Sequence, residues 1–461
     1  MTFPYGKAPF WILVLTLLSA SVIVALRTGR TTERPDLVFC IFADNHVAAY
    51  RKAIAEFEKT HHVKIQLQML GYDAFTSRLQ SAMLTGAEVP DMVELLISTM
   101  GYFTRGPLEE VGFVDLTDRL RKEGLYGRMV EERFSVWSSR GHVFALPHDV
   151  HPVMLFYRRD LIDRLGIKVD DLKTWDDFTA MGRRITKDLD GDGIPDRYAI
   201  DLDSKGGEFL QMLLLQRGGG LFDAGGSVTF DTPLTADTIL WYLHVMRGPH
   251  RIGFEAGWGQ SLAKAVNDGL VLFFVCPDWR SKQFELDVPN LSGQVALMPL
   301  PAWAPGGRRT STWGGTGLAI TKACRNQDLA WEFAKFLYLK KEELGERFRD
   351  TSILSALKDS WDMPAFDEPR AFYSGQPIGR LYAGLAPRIP ACYVSPYTQL
   401  AGAKLTEAYL NAAEYFDKHG DEGLRDFIDR ELARCAQYVR TVMQRNVFLR
   451  PEAPGSREGA R

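Results

Sequence analysis

Tryptophan next to acid, and glycine next to tryptophan, are the combinations in this chain best suited to holding another molecule. Trp279 follows Pro277 and Asp278, and Trp313 precedes Gly314 and Gly315. A sugar ring shows an apolar C–H face and an edge of hydroxyls, so it is bound where an aromatic plane meets polar groups. Glycine lets a backbone come close to such a ligand. For any single tryptophan, core packing is an equal reading; the weight comes from several of them falling at the ends of predicted strands. His148, Asp149 and His151 place further polar groups close together. In an extended segment His148 and Asp149 point to opposite faces, and no cysteine or fourth ligand accompanies them, so a polar binding surface is preferred to a metal site. In DLDGDGIPD (188–196), Asp188, Asp190 and Asp192 alternate before Gly193, which is how a calcium loop opens. The bidentate acid at its twelfth position is replaced by Ala199, although Asp196 could serve at the ninth. A solvated aspartate turn is therefore preferred to a bound structural Ca²⁺, and either reading is structural. Catalytic signatures fail: no nucleophile elbow, Walker A loop, H-E-x-x-H or post-strand G-x-G-x-x-G occurs, and the S-x-x-K at Ser355–Lys358 lacks its partner motifs. The chain is expected not to be an enzyme and to need no cofactor.

The elements that must position these groups follow from periodicity. Leu37 to Phe42 is a short apolar run, after which Val47, Tyr50, Ile54 and Phe57 recur at helical spacing. Val63, Ile65, Leu67 and Met69 alternate, Phe75, Leu79 and Met83 repeat every four residues up to Gly86, and Met92 to Ile97 is again apolar. This strand–helix–strand–helix–strand order marks an open α/β sheet. Further on, strands are expected at Val143–Leu146, Val153–Tyr157 and Leu270–Val275, with an extended crossing at Val295–Pro301. Thr174 with Asp177 should start one helix and Asn326 another, and long amphipathic helices should fill about 400–446.

With 461 residues, of which 46% are hydrophobic, the chain can bury two or three cores. A formal net charge of -3, with charges spread evenly, offers no basic field for nucleic acid. The five cysteines are odd in number and far apart, so neither a disulfide framework nor a metal knuckle is expected, and at least one should be a free buried thiol. From Ala8 to Leu26 run 19 residues without a charge, enough at about 1.5 Å per residue to cross a bilayer. The segment reads as a signal peptide or a retained anchor. Because Ser19, Ala20, Ser21 and Ala25 give no clean cleavage site, the anchor is preferred, although Arg27, Arg30 and Arg34 run against the positive-inside rule. Either way the chain is expected on the periplasmic or extracytoplasmic side of the membrane.

Five segments carry a resemblance to a known family: VPDMVEL (89–95), GHVFALPHDVHPVMLFYRRDLIDRLGI (141–167), KTWDDFTAMGRRITKDLDGDGIPDRYAI (173–200), CPDW (276–279) and STWGGTGLAITKACRNQDLAWEFAKFL (311–337). In order and spacing they resemble the family 1 extracellular solute-binding proteins, of which the maltose-binding protein is a member, over about residues 36–445. The resemblance implies the two-lobed α/β periplasmic-binding-protein fold of type II. It divides the chain into an N-terminal lobe (36–147 and 302–345) and a C-terminal lobe (148–301 and 346–448), after a signal or anchor segment (1–35) and before a disordered tail (449–461). It also implies a monomer that closes on a carbohydrate in its cleft and delivers it to the permease of an ATP-binding-cassette importer. By position, the implied contacts are Asp44, Asn45 and His46; Glu94 and Ser98; His148, Asp149 and His151; Asp278 and Trp279; Trp313, Gly314 and Gly315; and Tyr373 with Gln376. The maltose-binding relative has an acid where this chain has His151, which sets maltodextrin itself apart. Two other readings stay open: a non-sugar solute such as a phosphorylated polyol or a polyamine, and a membrane-tethered sensor. A phosphate would want arginines, and Arg280 is the only basic residue next to an implied contact.

Overall fold

Two five-stranded sheets organise the chain. The computed structural model describes residues 7–28, 34–43 and 46–449. Its strands are β1 (Leu37–Ile41), β2 (Ile65–Met69), β3 (Met92–Leu96), β4 (Ser138–Ser139), β5 (His142–Val143), β6 (Leu146–Pro147), β7 (Val153–Tyr157), β8 (Tyr198–Asp201), β9 (Gly253–Phe254), β10 (Val271–Pro277), β11 (Ala296–Pro299) and β12 (Thr316–Ile320). The first sheet runs β2-β1-β3-β12-β6 and the second β11-β7-β10-β8-β9, while β4 and β5 form a separate hairpin. In the first sheet β1 pairs in parallel with β2 and β3, and β12, returning from far along the chain, pairs antiparallel with β3 and β6.

The second sheet is covered on both faces, which is why β7 and β10 read as unbroken apolar runs. Their side chains divide with a period of two. Val153, Leu155, Phe273 and Val275 face the core that includes Trp175, Phe178, Leu213, Tyr242, Tyr409 and Leu432. Met154, Phe156, Phe274 and Cys276 face the opposite side, with Phe284, Tyr373 and Tyr382. Helix Trp175–Ile185 begins on the capping box foreseen at Thr174 and Asp177, with both reciprocal bonds made. It buries Trp175, Phe178, Met181 and Ile185 along one face. The Asn326 side chain accepts from the Leu329 amide at the start of Gln327–Leu339, and the long C-terminal helices are Thr398–His419 and Leu424–Gln444.

Three expectations are corrected. The strand expected at Val143–Leu146 is broken: the Phe144 amide donates to the Trp137 carbonyl and stays with the hairpin, while Leu146 and Pro147 join β12. Pro147 lacks an N–H and sits on a sheet edge, where none is needed. The strand expected to end at Val275 continues to Pro277, so Trp279 lies in the first turn of helix Asp278–Asp287. The apolar N-terminal run does form a helix, Ala8–Thr28. Among the described residues, however, no helix is long and apolar enough to cross a membrane, so the preferred anchor has no structural support. The expected tail falls almost wholly outside the described residues. All five cysteines are free, Cys392 being half-buried and the others buried.

The chain crosses between the sheets after β6, before β12, and again beyond helix Lys341–Thr351. Antiparallel bridges join Asp149 to Ser355 and Pro152 to Thr312, so the three crossings lie side by side.

Candidate functional site

Where the crossings meet, a chain of ionic hydrogen bonds ties them together. The Asp149 carboxylate accepts from Arg133 Nη2 (3.0 Å), from the Thr316 amide (2.8 Å) and hydroxyl (2.7 Å), and bonds His148 Nδ1 (3.2 Å). His151 Nε2 lies 3.1 Å from the same carboxylate, and His151 Nδ1 lies 2.6 Å from Asp278. Asp278 also accepts from the amides of Trp279 and Leu354, at 2.7 and 2.6 Å. One imidazole thus joins the first crossing to the second sheet, and Asp278 joins that sheet to the third crossing. All of these side chains are buried. Burial alone would push His151 toward its neutral form, but the charges of Asp149 and Asp278 outweigh it and raise its pKa to about 9. Burial likewise opposes ionisation of Asp149, yet His151, His148 and Arg133 hold it well below the usual carboxylate range. His148 is lowered, chiefly by burial.

The segment is not extended as expected. His151 has φ 53°, the left-handed region, and the turn brings His148 and His151 onto one carboxylate. Gly315 explains its own identity: at φ 148° its Cβ would fall 2.0 Å from Arg133 Nη2.

Beside this network opens a cavity of about 450 Å³, within the usual range for small-molecule sites. Trp258, Trp279 and Trp313 wall it, with ring centroids 5.6 to 6.3 Å apart; Trp258 and Trp279 are nearly parallel at 13°, and Trp313 is steeply inclined to both. Polar groups on the lining include His46, Ser98, Glu208 and the backbone at Gly314 and Gly315. Trp313 Nε1 donates to Glu208 (2.8 Å), and Trp279 Nε1 donates to the Trp313 carbonyl (3.2 Å). Behind Trp258, at 4.7 Å from its ring, lies the fully buried guanidinium of Arg280, paired with Asp201 at 3.6 Å.

Among the expected contacts, His46, Ser98, Asp149, His151, Trp279, Trp313, Gly314 and Gly315 line the cavity. Glu94, His148 and Asp278 lie behind it. Glu94 is fully buried, bonds His46 Nδ1 at 2.6 Å, and is lowered against its burial by the charges of His46 and His148. Donor atoms of His46, Glu94 and His148 come within 4.8 Å of one another, so they could hold a metal. Tyr373 and Gln376 are not brought to the cavity. The Tyr373 hydroxyl donates to the Ser281 carbonyl, while Gln376 bonds both the amide and the carbonyl of Leu297, filling the place of a strand beside β11. Asp44 and Asn45 lie outside the described residues.

In the aspartate loop, Asp188, Asp190 and Asp196 bring oxygens within 4.8 Å of one another, and Asp192 does not join them. Their carboxylates already accept loop amides, Gly191 and Gly193 on Asp188, Asp192 on Asp190 and Leu189 on Asp196, as a solvated turn would have it.

Sequence reasoning missed Glu208 and Trp258. A signal for Trp258 was present, since Gly257 and Gly259 flank it as Gly314 and Gly315 follow Trp313. Glu208 stands just inside a helix start after two glycines, and only the fold turns it to the cavity.

Two α/β sheets, three adjacent crossings and an aromatic cavity beside them define a two-lobed binding protein. The chain belongs to the bacterial extracellular solute-binding protein family, whose model matches residues 43–343, and it works outside the cytoplasm. It is 25% identical to the arabinooligosaccharide-binding protein of Halalkalibacterium halodurans over 374 residues, covering 79% of this chain and 81% of the relative. The Bacillus subtilis arabinooligosaccharide-binding protein is 27% identical over 329 residues, covering 70% of this chain and 73% of that one. The solved galacto-N-biose/lacto-N-biose I-binding protein of a Bifidobacterium longum ABC transporter shares the fold with a TM-score of 0.68 at 18% identity, over 89% of this chain and 96% of that one. These relatives are binding proteins.

Proposed function

We propose that this chain is the receptor of an ATP-binding-cassette importer, that it takes a neutral oligosaccharide into the cavity between its lobes, and that it passes the sugar to a membrane permease. The observation carrying this reading is the box of three tryptophans with polar groups at its edge: aromatic planes take the C–H faces of a sugar and the edge takes its hydroxyls. His46, Ser98, Trp279, Trp313, Gly314 and Gly315 are its contacts. The lobes are residues 36–147 with 302–345 and 148–301 with 346–448, and the receptor acts as a monomer. Both arabinooligosaccharide-binding relatives support the ligand class.

The chemistry of the lining weighs against a phosphorylated solute. Among the described residues no lysine or arginine lines the cavity, so a phosphoester finds no such partner there. An aromatic box with Glu208 at its edge could also hold a polyamine, which the screen below separates from a sugar.

A thermal-shift screen with arabinotriose, lacto-N-biose, spermidine and glycerol phosphate separates these readings, because a binder stabilises the native state by mass action. At least one neutral sugar is expected to raise Tm. A shift with spermidine or glycerol phosphate alone contradicts the proposal.

A further inference from the structure

Glu208 is the acidic side chain of the cavity lining that makes no ion pair among the described residues. The other ionisable side chains on its lining are committed elsewhere, His46 to Glu94, and Asp149 and His151 to each other and to Arg133 and Asp278. Every Asp149 contact is a donor already in place, so that carboxylate has little left to offer a ligand. Glu208 differs. It is exposed at the cavity edge and makes no ion pair among the described residues, and its single side-chain bond is from Trp313 Nε1 to Oε2 at 2.8 Å. That bond fixes the carboxylate against one wall and leaves Oε1 as an acceptor. The neighbouring residue holds the position: Phe209 is buried against the Trp313 ring, with centroids 4.8 Å apart. The imidazoles on the lining are engaged elsewhere, His46 with Glu94 and His151 between Asp149 and Asp278, and the buried Arg280 lies behind the tryptophans.

We propose that Glu208 is the specificity-determining residue of the cleft, accepting hydroxyl hydrogen bonds from a neutral sugar through its free oxygen and excluding uronate-containing sugars by its charge. The proposal rests on the sugar reading above. A hydroxyl pair can be donated to a fixed carboxylate, and such charge-assisted bonds are stronger than neutral ones. A sugar carboxylate in the same place would meet like charge, and the one cationic imidazole the lining offers, His151, is already shared by Asp149 and Asp278.

Calorimetric titration of the full chain tests this with arabinotriose and lacto-N-biose as neutral probes and digalacturonate as the acidic one. Wild type should bind a neutral probe and bind digalacturonate at least tenfold more weakly. Glu208→Gln keeps the size and an acceptor for Trp313 while removing the charge. It should narrow the neutral-to-acidic ratio at least tenfold, and added salt should narrow the wild-type ratio in the same direction. Glu208→Ala should weaken the neutral probe at least tenfold with Tm little changed. If a neutral sugar binds and the ratio is the same in wild type and Glu208→Gln, or if wild type binds digalacturonate equally well, the role of Glu208 is overturned and the sugar reading stands. If folded wild type binds neither neutral probe, the sugar reading itself fails and takes this inference with it.

Discussion

His151 is held between two carboxylates, 3.1 Å from Asp149 and 2.6 Å from Asp278, in a backbone conformation that non-glycine residues seldom adopt. Both ring nitrogens are spent on protein groups, so the imidazole fastens the crossings together although it lines the cavity. Because its folded pKa is raised from an ordinary 6.5 to about 9, its contribution is complete below pH 6.5 and is lost as pH rises through about 9. The contribution is of order 3 kcal/mol, from the size of that shift. We expect Tm to fall between pH 6.5 and 9.5, and His151→Asn, chosen because asparagine tolerates a positive φ, to lose most of that fall. Parallel pH profiles for the two proteins would refute this assignment. At this scale the sequence was informative about residue type and weak about partners. His148, Asp149, His151 and Asp278 stand out by chemistry, but that one histidine bridges two distant aspartates depends on a turn at His151 that no local pattern announces. Glu208 and Trp258 escaped for the complementary reason, being ordinary locally and brought to the cavity only by the fold.

The elements that carry the site are mostly legible from periodicity. Alternation and apolar runs gave β1, β2, β3, β7 and β10, and side-chain caps gave two helix starts, since these signals reside in a few consecutive residues. Short pieces were not legible. β5 and β6 are two residues each, and the Phe144 amide between them bonds back to the Trp137 carbonyl just before β4 rather than continuing the strand. Gln376 has a role of the same kind, as a side chain that completes a sheet edge at Leu297. The crossing at Gly315 yields a prediction at this scale. A methyl group there would meet the Arg133 guanidinium and adopt an unfavourable φ, so Gly315→Ala should cost roughly 2 kcal/mol or more, measured by denaturant unfolding. A change within 0.5 kcal/mol would show that the crossing has room to adjust. Elsewhere, segments far apart in sequence are joined directly: Arg105 Nε donates to the Pro396 carbonyl at 3.2 Å, and Tyr102 bonds Gln399.

The whole molecule couples two lobes through three adjacent strands of backbone, and a ligand touching both lobes favours closure by its differential affinity for that state. The lining supplies what such a ligand needs from each side. Phe42, His46, Leu96 and Ser98 come from the first sheet and its connections, Glu208, Trp258 and Trp279 from around the second, and Trp313, Gly314 and Gly315 from a crossing between them. A two-lobed α/β fold could be anticipated because family motifs keep their order along the chain. Which tryptophans share a cavity could not, because Trp258, Trp279 and Trp313 are separated by other elements and meet only after both sheets have formed. Calorimetric titration of arabinotriose into wild type and Trp279→Ala tests the central claim most directly. Wild type should bind, and the variant should bind at least thirtyfold more weakly with its Tm little changed, having lost one wall of the aromatic box. Equal affinities in the two folded proteins, or no binding of any neutral sugar to wild type, would contradict the account.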